Sequence, residues 1–89
     1  MAREVFFTKS ALRDLKSLPK RHSALVIAKI ETAAQNVRAA GEEMLRGRDG
    51  LYRVRQGDYR VVYRKEAGAL LVLLVAHRRD VYAKVRRLH

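Results

Sequence analysis

From residue 52 to residue 63 apolar and polar side chains alternate. The stretch YRVRQGDYRVVY has two strand-forming runs around Gly57-Asp58, the pattern of a β-hairpin with a two-residue turn. Alternation then puts Tyr52, Val54, Tyr59, Val61 and Tyr63 on one face and Arg53, Arg55, Arg60, Val62 and Arg64 on the other. The first set is a core face. Further on, ALLVLLVAH (69–77) is apolar at nearly every position, as in a strand covered on both faces.

Upstream of the hairpin the period is helical. Leu12, Leu15 and Leu18 predict a first helix capped by Thr8 or Ser10, and Pro19 ends it or opens the next. A longer helix from about Arg21 to Ala40 buries Ile27, Ile30, Ala34 and Val37, with Gly41 as its C′ residue. Arg3 to Phe7 reads as a short strand, and GEEMLRGRDG (41–50) as a connector whose Leu45 tucks into the core. The order is strand, helix, helix, then three strands, followed by the tail RDVYAKVRRL with Val81, Val85 and Leu88 at i, i+4 and i+7. This is an α+β arrangement in one domain, residues 1–89, without internal repeats. Its size is enough to bury roughly 60–65% of the unfolded surface. One face of the last strand packs on the two helices. The other needs an apolar cover, which is either the C-terminal tail or another chain.

Charge changes the picture of the hairpin. The chain carries 20 Lys+Arg against 9 Asp+Glu, net +11. Residues 1–45 hold 8 basic and 5 acidic side chains, residues 46–89 hold 12 and 4, so the excess belongs to the half that contains the hairpin. In the predicted register Arg55 lies across from Arg60, and like charges directly opposite destabilise a strand pair. A cluster of arginines that folding alone does not favour points to an anionic ligand: nucleic acid, an anionic membrane or an acidic protein. The longest apolar run, 67–76, is too short to span a bilayer, which disfavours the membrane. MAREVFF lacks the features of a signal peptide, so a cytoplasmic location is the expectation. The absence of cysteine excludes disulfides, thiolate zinc sites and thiol nucleophiles. With no phosphate-binding glycine loop and no metal-ligand spacing, metal-independent chemistry without a cofactor is expected.

The motifs LRG (45–47), YRVRQGDYRVVY and VAHRRDVY (75–82), in this element order, give the chain a resemblance. It resembles the RelE/ParE superfamily of bacterial and archaeal toxin–antitoxin modules over essentially its whole length. The resemblance implies a twisted antiparallel sheet with two N-terminal helices on one face and a concave basic face opposite. RelE-like members of that superfamily are endoribonucleases (mRNA interferases) that cut messenger RNA in the ribosomal A site and so inhibit translation. ParE-like members inhibit DNA gyrase instead, and an inactive member would only bind its antitoxin. The implied partners are an acidic antitoxin, messenger RNA and ribosomal RNA, with operator DNA reached only through the antitoxin complex.

By the same resemblance the first-strand basic pair falls on Arg53 and Arg55, the hairpin arginine on Arg60, the arginine after the last strand on Arg78, and the C-terminal tyrosine on Tyr82. Arg46 and Arg48, at the LRG motif, join Arg53 and Arg55 as expected substrate contacts, and Arg60, Arg78, Tyr82 and His77 form the expected catalytic set. The pair is commonly lysine in RelE enzymes. Arginine stays protonated, so it can hold and stabilise phosphate but is a poor general base. Guanidinium groups suit the attack of a 2′-OH on its own phosphodiester, whose transition state carries extra charge on phosphoryl oxygen. His77 titrates near neutrality and is a candidate acid or base, or a structural residue at a strand end. Tyr82 can stack on a base or bond the nucleophile, or staple the tail to the sheet. Asp80 is accounted for by Arg79.

Overall fold

The computed structural model describes residues 2–35, 41–48 and 50–88. Its elements run β1 (Glu4–Phe7), α1 (Lys9–Lys16), α2 (Lys20–Ala34), β2 (Glu43–Met44), β3 (Leu51–Gln56), β4 (Tyr59–Glu66), β5 (Ala69–His77) and α3 (Val81–Val85). The class is α+β, as expected. The five strands form a single sheet in the order β1-β5-β4-β3-β2.

The sheet is mixed, where an antiparallel one was expected. β1 lies parallel to β5, with Glu4 beside Ala69 and Phe7 beside Val72, while the other neighbours are antiparallel. Parallel neighbours need a long crossover, and everything from α1 to β4 supplies it. The extra strand, β2, lies in the supposed connector, where Glu43 and Met44 pair with Arg53 and Tyr52 at the sheet edge. The hairpin register is as predicted, with Arg55 opposite Arg60 and Gln56 opposite Tyr59. Gly57 has φ 59°, and among the described residues none other than glycine has positive φ, so only the first central position is left-handed, as a type II′ turn requires.

Helix starts follow the sequence more closely than helix faces. Thr8 is extended, and its Oγ1 accepts the Ala11 N–H at 3.1 Å, which caps α1; Pro19 is the N-cap of α2. The stripe that α1 buries is Ala11 and Leu15, and Leu12 is 40% exposed. In α2 it is Val26, Ile30, Ala33 and Ala34, and Ile27 is 41% exposed. Each residue turns a helix face by about 100°. Small alanines on the inner face let the helices approach the sheet, and the larger neighbours turn outward. α2 ends at Ala34 with Gln35 extended, so Gly41 is not its C′ residue. Val37, expected in the buried stripe, lies outside the described residues.

Two apolar layers enclose the sheet. On the helix side Ala11, Leu15, Val26 and Ile30 meet Val54, Val61, Tyr63, Leu70, Val72 and Val75. On the other side the cover is the tail of the same chain: Val81, Val85 and Leu88, with Leu45, pack on Val62, Leu73, Leu74 and Ala76. A register shift at Val62/Tyr63 pairs Val62 with Leu74 and Tyr63 with Val72, leaving Leu73 as the bulged residue. Both Leu73 and Leu74 thereby reach the tail side. Arg48 holds the tail down, its Nη1 donating to Leu88 O at 2.8 Å and its Nη2 to Val85 O at 3.1 Å.

One charged group is buried on the helix side. Glu42, 4% exposed, accepts a hydrogen bond from the Tyr63 hydroxyl and one from Lys65 Nζ at 2.7 Å. Lys65 Nζ also lies 4.5 Å from the centroid of the Tyr52 ring. Burial first, then the bond to Glu42, pushes the Tyr63 phenol well above its usual value. The folded chain therefore keeps a proton that an unfolded tyrosine gives up near pH ~10, so this contribution is intact below that pH and is lost as pH rises beyond it. Urea titrations between about pH 8 and 11 are expected to show stability falling at the alkaline end, with a shallower fall in Tyr63→Phe. An unchanged slope in that variant would contradict the assignment.

Candidate functional site

The hairpin arginines come together on the tail side of β3 and β4. Arg53 is 6% exposed because Tyr82, Glu43 and the β4 backbone surround it. Its Nη1 donates to the Tyr82 hydroxyl at 3.0 Å, and its Nη2 lies 2.8 Å from Glu43 Oε2. Its Nε is buried without a hydrogen-bond partner among the described residues. The buried guanidinium, hydrogen-bonded to a phenol and ion-paired with a carboxylate, places a positive charge just under the surface on which Tyr82 lies. Tyr82 itself is 53% exposed, so its ring is open to a stacking partner.

Arg60 sits one strand over. Its Nη1 donates to Gly57 O at 2.9 Å and Tyr59 O at 3.0 Å, which folds the side chain back over the turn. Desolvation, then the cations of Arg55, Arg53 and Arg78, lower the Arg60 pKa, and Tyr82 opposes them. Arg55, Arg53, Arg78 and Tyr82 are thus each close enough to Arg60 to act on its charge. Arg78 leaves β5 beside the hairpin turn, where its backbone N–H donates to Asp58 O at 2.7 Å and its Nε is 3.6 Å from Asp58 Oδ1. That exposed pair is worth about 0–1 kcal/mol and leaves most of the Arg78 donors free for a ligand.

Of the expected residues, Arg53, Arg55, Arg60, Arg78 and Tyr82 therefore converge. Three do not join them. His77 is the strand partner of Tyr59, on the helix side; its ring meets Tyr59 edge-on at 5.8 Å and its Nδ1 accepts the Arg79 N–H at 3.2 Å. It closes the turn after β5 from the face opposite the guanidiniums, with His22 on the far side of Tyr59 at 5.2 Å. Arg48 spends its guanidinium on the tail carbonyls, which makes it a clamp and not a free substrate contact. Arg46 is exposed in the turn before it and is not part of the Tyr82–Arg53–Glu43 linkage. Among the described residues no three His, Cys, Asp or Glu side chains converge as a metal site would require, and no helix is long and apolar enough to cross a membrane.

Glu43 is the site residue that sequence reasoning missed. β2 brings its carboxylate to Arg53. A two-residue edge strand has no periodicity to detect. The opposed pair gives a separate test. Arg55→Thr removes the like charge facing Arg60 and is expected to stabilise the fold by about 0.2–1 kcal/mol while weakening the binding of a polyanion. Denaturant titration and filter binding check both signs; a destabilised variant would mean that Arg55 holds the hairpin.

A five-stranded mixed sheet with two helices on one face is a fold that this chain shares with solved RelE toxins. The family model described as the ParE toxin of the type II toxin–antitoxin system, parDE, matches residues 5–82. The chain belongs to this family, within the RelE/ParE superfamily of type II toxins. It is 36% identical over 84 residues to toxin RelG of Mycobacterium tuberculosis, covering 90% of this chain and 95% of that protein. The fold is similar to the crystal structure of the toxin–antitoxin complex RelBE2 from Mycobacterium tuberculosis, with TM-score 0.74, 32% identity, and 88% of this chain and 100% of that chain covered. It is similar also to a RelE toxin mutant from Escherichia coli in the free state, with TM-score 0.78, 25% identity and both chains covered fully.

Proposed function

We propose that this toxin is a ribosome-dependent endoribonuclease that cuts messenger RNA in the A site, acting through Arg53, Arg60, Arg78 and Tyr82 without a metal. The observation that carries the reading is the Tyr82–Arg53–Glu43 linkage beside Arg60. RNA cleavage by its own 2′-OH forms a 2′-O–P bond and breaks the P–O5′ bond; the leaving 5′ oxygen takes a proton from water, and the products are a 2′,3′-cyclic phosphate and a 5′-hydroxyl. Charge builds on the non-bridging oxygens, where the donors of Arg60 and Arg78 act beside the positive field of Arg53, and each such donor is worth about 3–4 kcal/mol in a water-poor site. Arg55 supplies longer-range attraction for the backbone. The 2′-OH proton needs an acceptor, which an arginine is not. Glu43, ion-paired with Arg53 on the same face, takes that role in place of His77, and the Tyr82 ring stacks on the base next to the cut.

The partner is an acidic antitoxin that folds on this surface, as RelB accompanies the toxin in the related complexes. Co-expression with the neighbouring reading frame, followed by sizing, is expected to give a complex; a chain that stays alone and harmless would count against it. A second reading, gyrase inhibition, rests on the match to the ParE model. Translation and DNA supercoiling assays run side by side separate the two. Messenger cleavage with normal supercoiling supports the nuclease, and blocked supercoiling with intact messenger overturns it.

A further inference from the structure

The Glu42–Tyr63–Lys65 cluster has no part in the reaction described above, yet it holds the residue next to one that does. Glu42 is buried, its carboxylate bonded to Tyr63 and to Lys65. A buried ion pair adds little stability relative to apolar side chains of the same size, so its retention calls for another use. The chain geometry supplies one. Glu42 reaches through to Tyr63, which belongs to the helix-side core, whereas Glu43 reaches Arg53 on the tail side. Consecutive residues of extended backbone point to opposite faces, so the two glutamates straddle the sheet edge.

The strand between them and the site has little else to hold it. β2 comprises Glu43 and Met44, on the outer edge of the sheet, and Met44 is 59% exposed. Beyond its pairing with β3, the next ties are on Leu45, whose N–H donates to Leu51 O at 2.8 Å and whose side chain packs in the tail-side layer. Short exposed edges open locally at low free-energy cost. An internal anchor immediately before the strand restrains Glu43 where ladder bonds alone would let it drift.

We propose that Glu42 is a positioning residue: bonded to Tyr63 and Lys65, it fixes β2 at the sheet edge and so holds the Glu43 carboxylate against Arg53. The role Glu43 plays in cleavage rests on the nuclease reading, but the geometric part does not. Glu42→Gln keeps the shape and an acceptor for Tyr63 while placing an amide against the Lys65 ammonium. Tyr63→Phe removes the hydroxyl and leaves the Lys65 pair in place, and it is read in place of Glu42→Gln should circular dichroism show that variant unfolded.

Two readouts decide. In 15N-labelled full-length protein, the Arg53 guanidinium N–H signals are expected to be resolved, and in the Glu42→Gln variant to broaden or shift toward those of exposed arginines. In the ribosome-programmed cleavage reaction the same variant is expected to lower the rate at saturation about tenfold with little change in KM, since misplacement at a reacting group costs of this order or more. In a Glu43→Gln background the further loss should shrink to less than about twofold, because residues that act through one another are not additive. A merely structural Glu42 would give the same loss in both backgrounds. Unchanged Arg53 signals in the folded variant, or additive losses, overturn the proposal. If the wild type cuts nothing, the nuclease reading fails by itself, and the Arg53 signals alone decide the positioning.

Discussion

Arg60→Ala is expected to lower messenger cleavage by about 10²–10³-fold, the loss typical when one donor to a developing oxyanion is removed. Stability should move far less. The variant gives up two hydrogen bonds to the carbonyls of Gly57 and Tyr59 in a partly exposed turn, worth about 1 kcal/mol each. It also removes the repulsion that Arg55, Arg53 and Arg78 exert on this guanidinium. The two effects oppose one another, so the net change in unfolding free energy should stay within about 1 kcal/mol. Arg78→Ala should behave similarly, its ion pair with Asp58 being exposed. Cleavage rates and melting curves measured on the same preparations check this. Losses of activity that track losses of melting temperature would mean that these arginines only hold the turn.

Truncation after Asp80 is expected to have the largest effect on stability. It removes Val81, Val85 and Leu88 from Val62, Leu74 and Ala76, and leaves Arg48 without the carbonyls it clamps. Val81 is fully buried and the other two partly so, which amounts to about 3 kcal/mol of lost burial. For a domain of this size that lowers the melting temperature by roughly 12–24 °C. Cleavage should disappear with it, since Tyr82 is gone. Tyr82→Phe separates the two consequences: it loses only the hydroxyl bond to Arg53, so its melting temperature should stay close to wild type while cleavage falls about tenfold. A truncated chain that melts like the full one would show that the tail does not cover the sheet in solution.

The hairpin was legible in the sequence because strand alternation, a Gly-Asp turn and opposed charges all agreed. Register, core face and the Arg55–Arg60 opposition follow from a period of two that leaves one solution. The span of β5 was equally plain, and its apolarity on both faces announced a cover, although only the structure identifies the tail as that cover. Helix faces were less legible. Leu12 and Ile27 fit a helical period, but so do Ala11 and Val26, and packing distance chose the smaller side chains. The parallel pairing of β1 with β5 is a property of the whole path and leaves no local mark.

At the site, the residues that converge are those whose strand position and face could be read: Arg53, Arg55 and Arg60 from the hairpin, and Arg78 and Tyr82 from the exit of the last strand. His77 has the right chemistry and the wrong face. It pairs with Tyr59, and alternation along β5 from Val75 puts it on the helix side. Arg48 was read by charge alone, and its geometry commits it to Val85 and Leu88. Glu42 and Glu43 escaped notice because their importance lies in an edge strand of two residues. The unpaired Arg53 Nε, the exposed Tyr82 ring and the adjacent carboxylate are tertiary facts, produced by three segments meeting.

The most direct test is primer extension on a defined messenger RNA incubated with the toxin, with and without translating ribosomes, for wild type, Arg60→Ala and Tyr82→Phe. Cuts that appear only with ribosomes, fall within the A-site codon, weaken in Tyr82→Phe and vanish in Arg60→Ala are the predicted result. An uncut messenger under every condition, with growth still arrested on induction, would contradict the nuclease account and turn attention to gyrase.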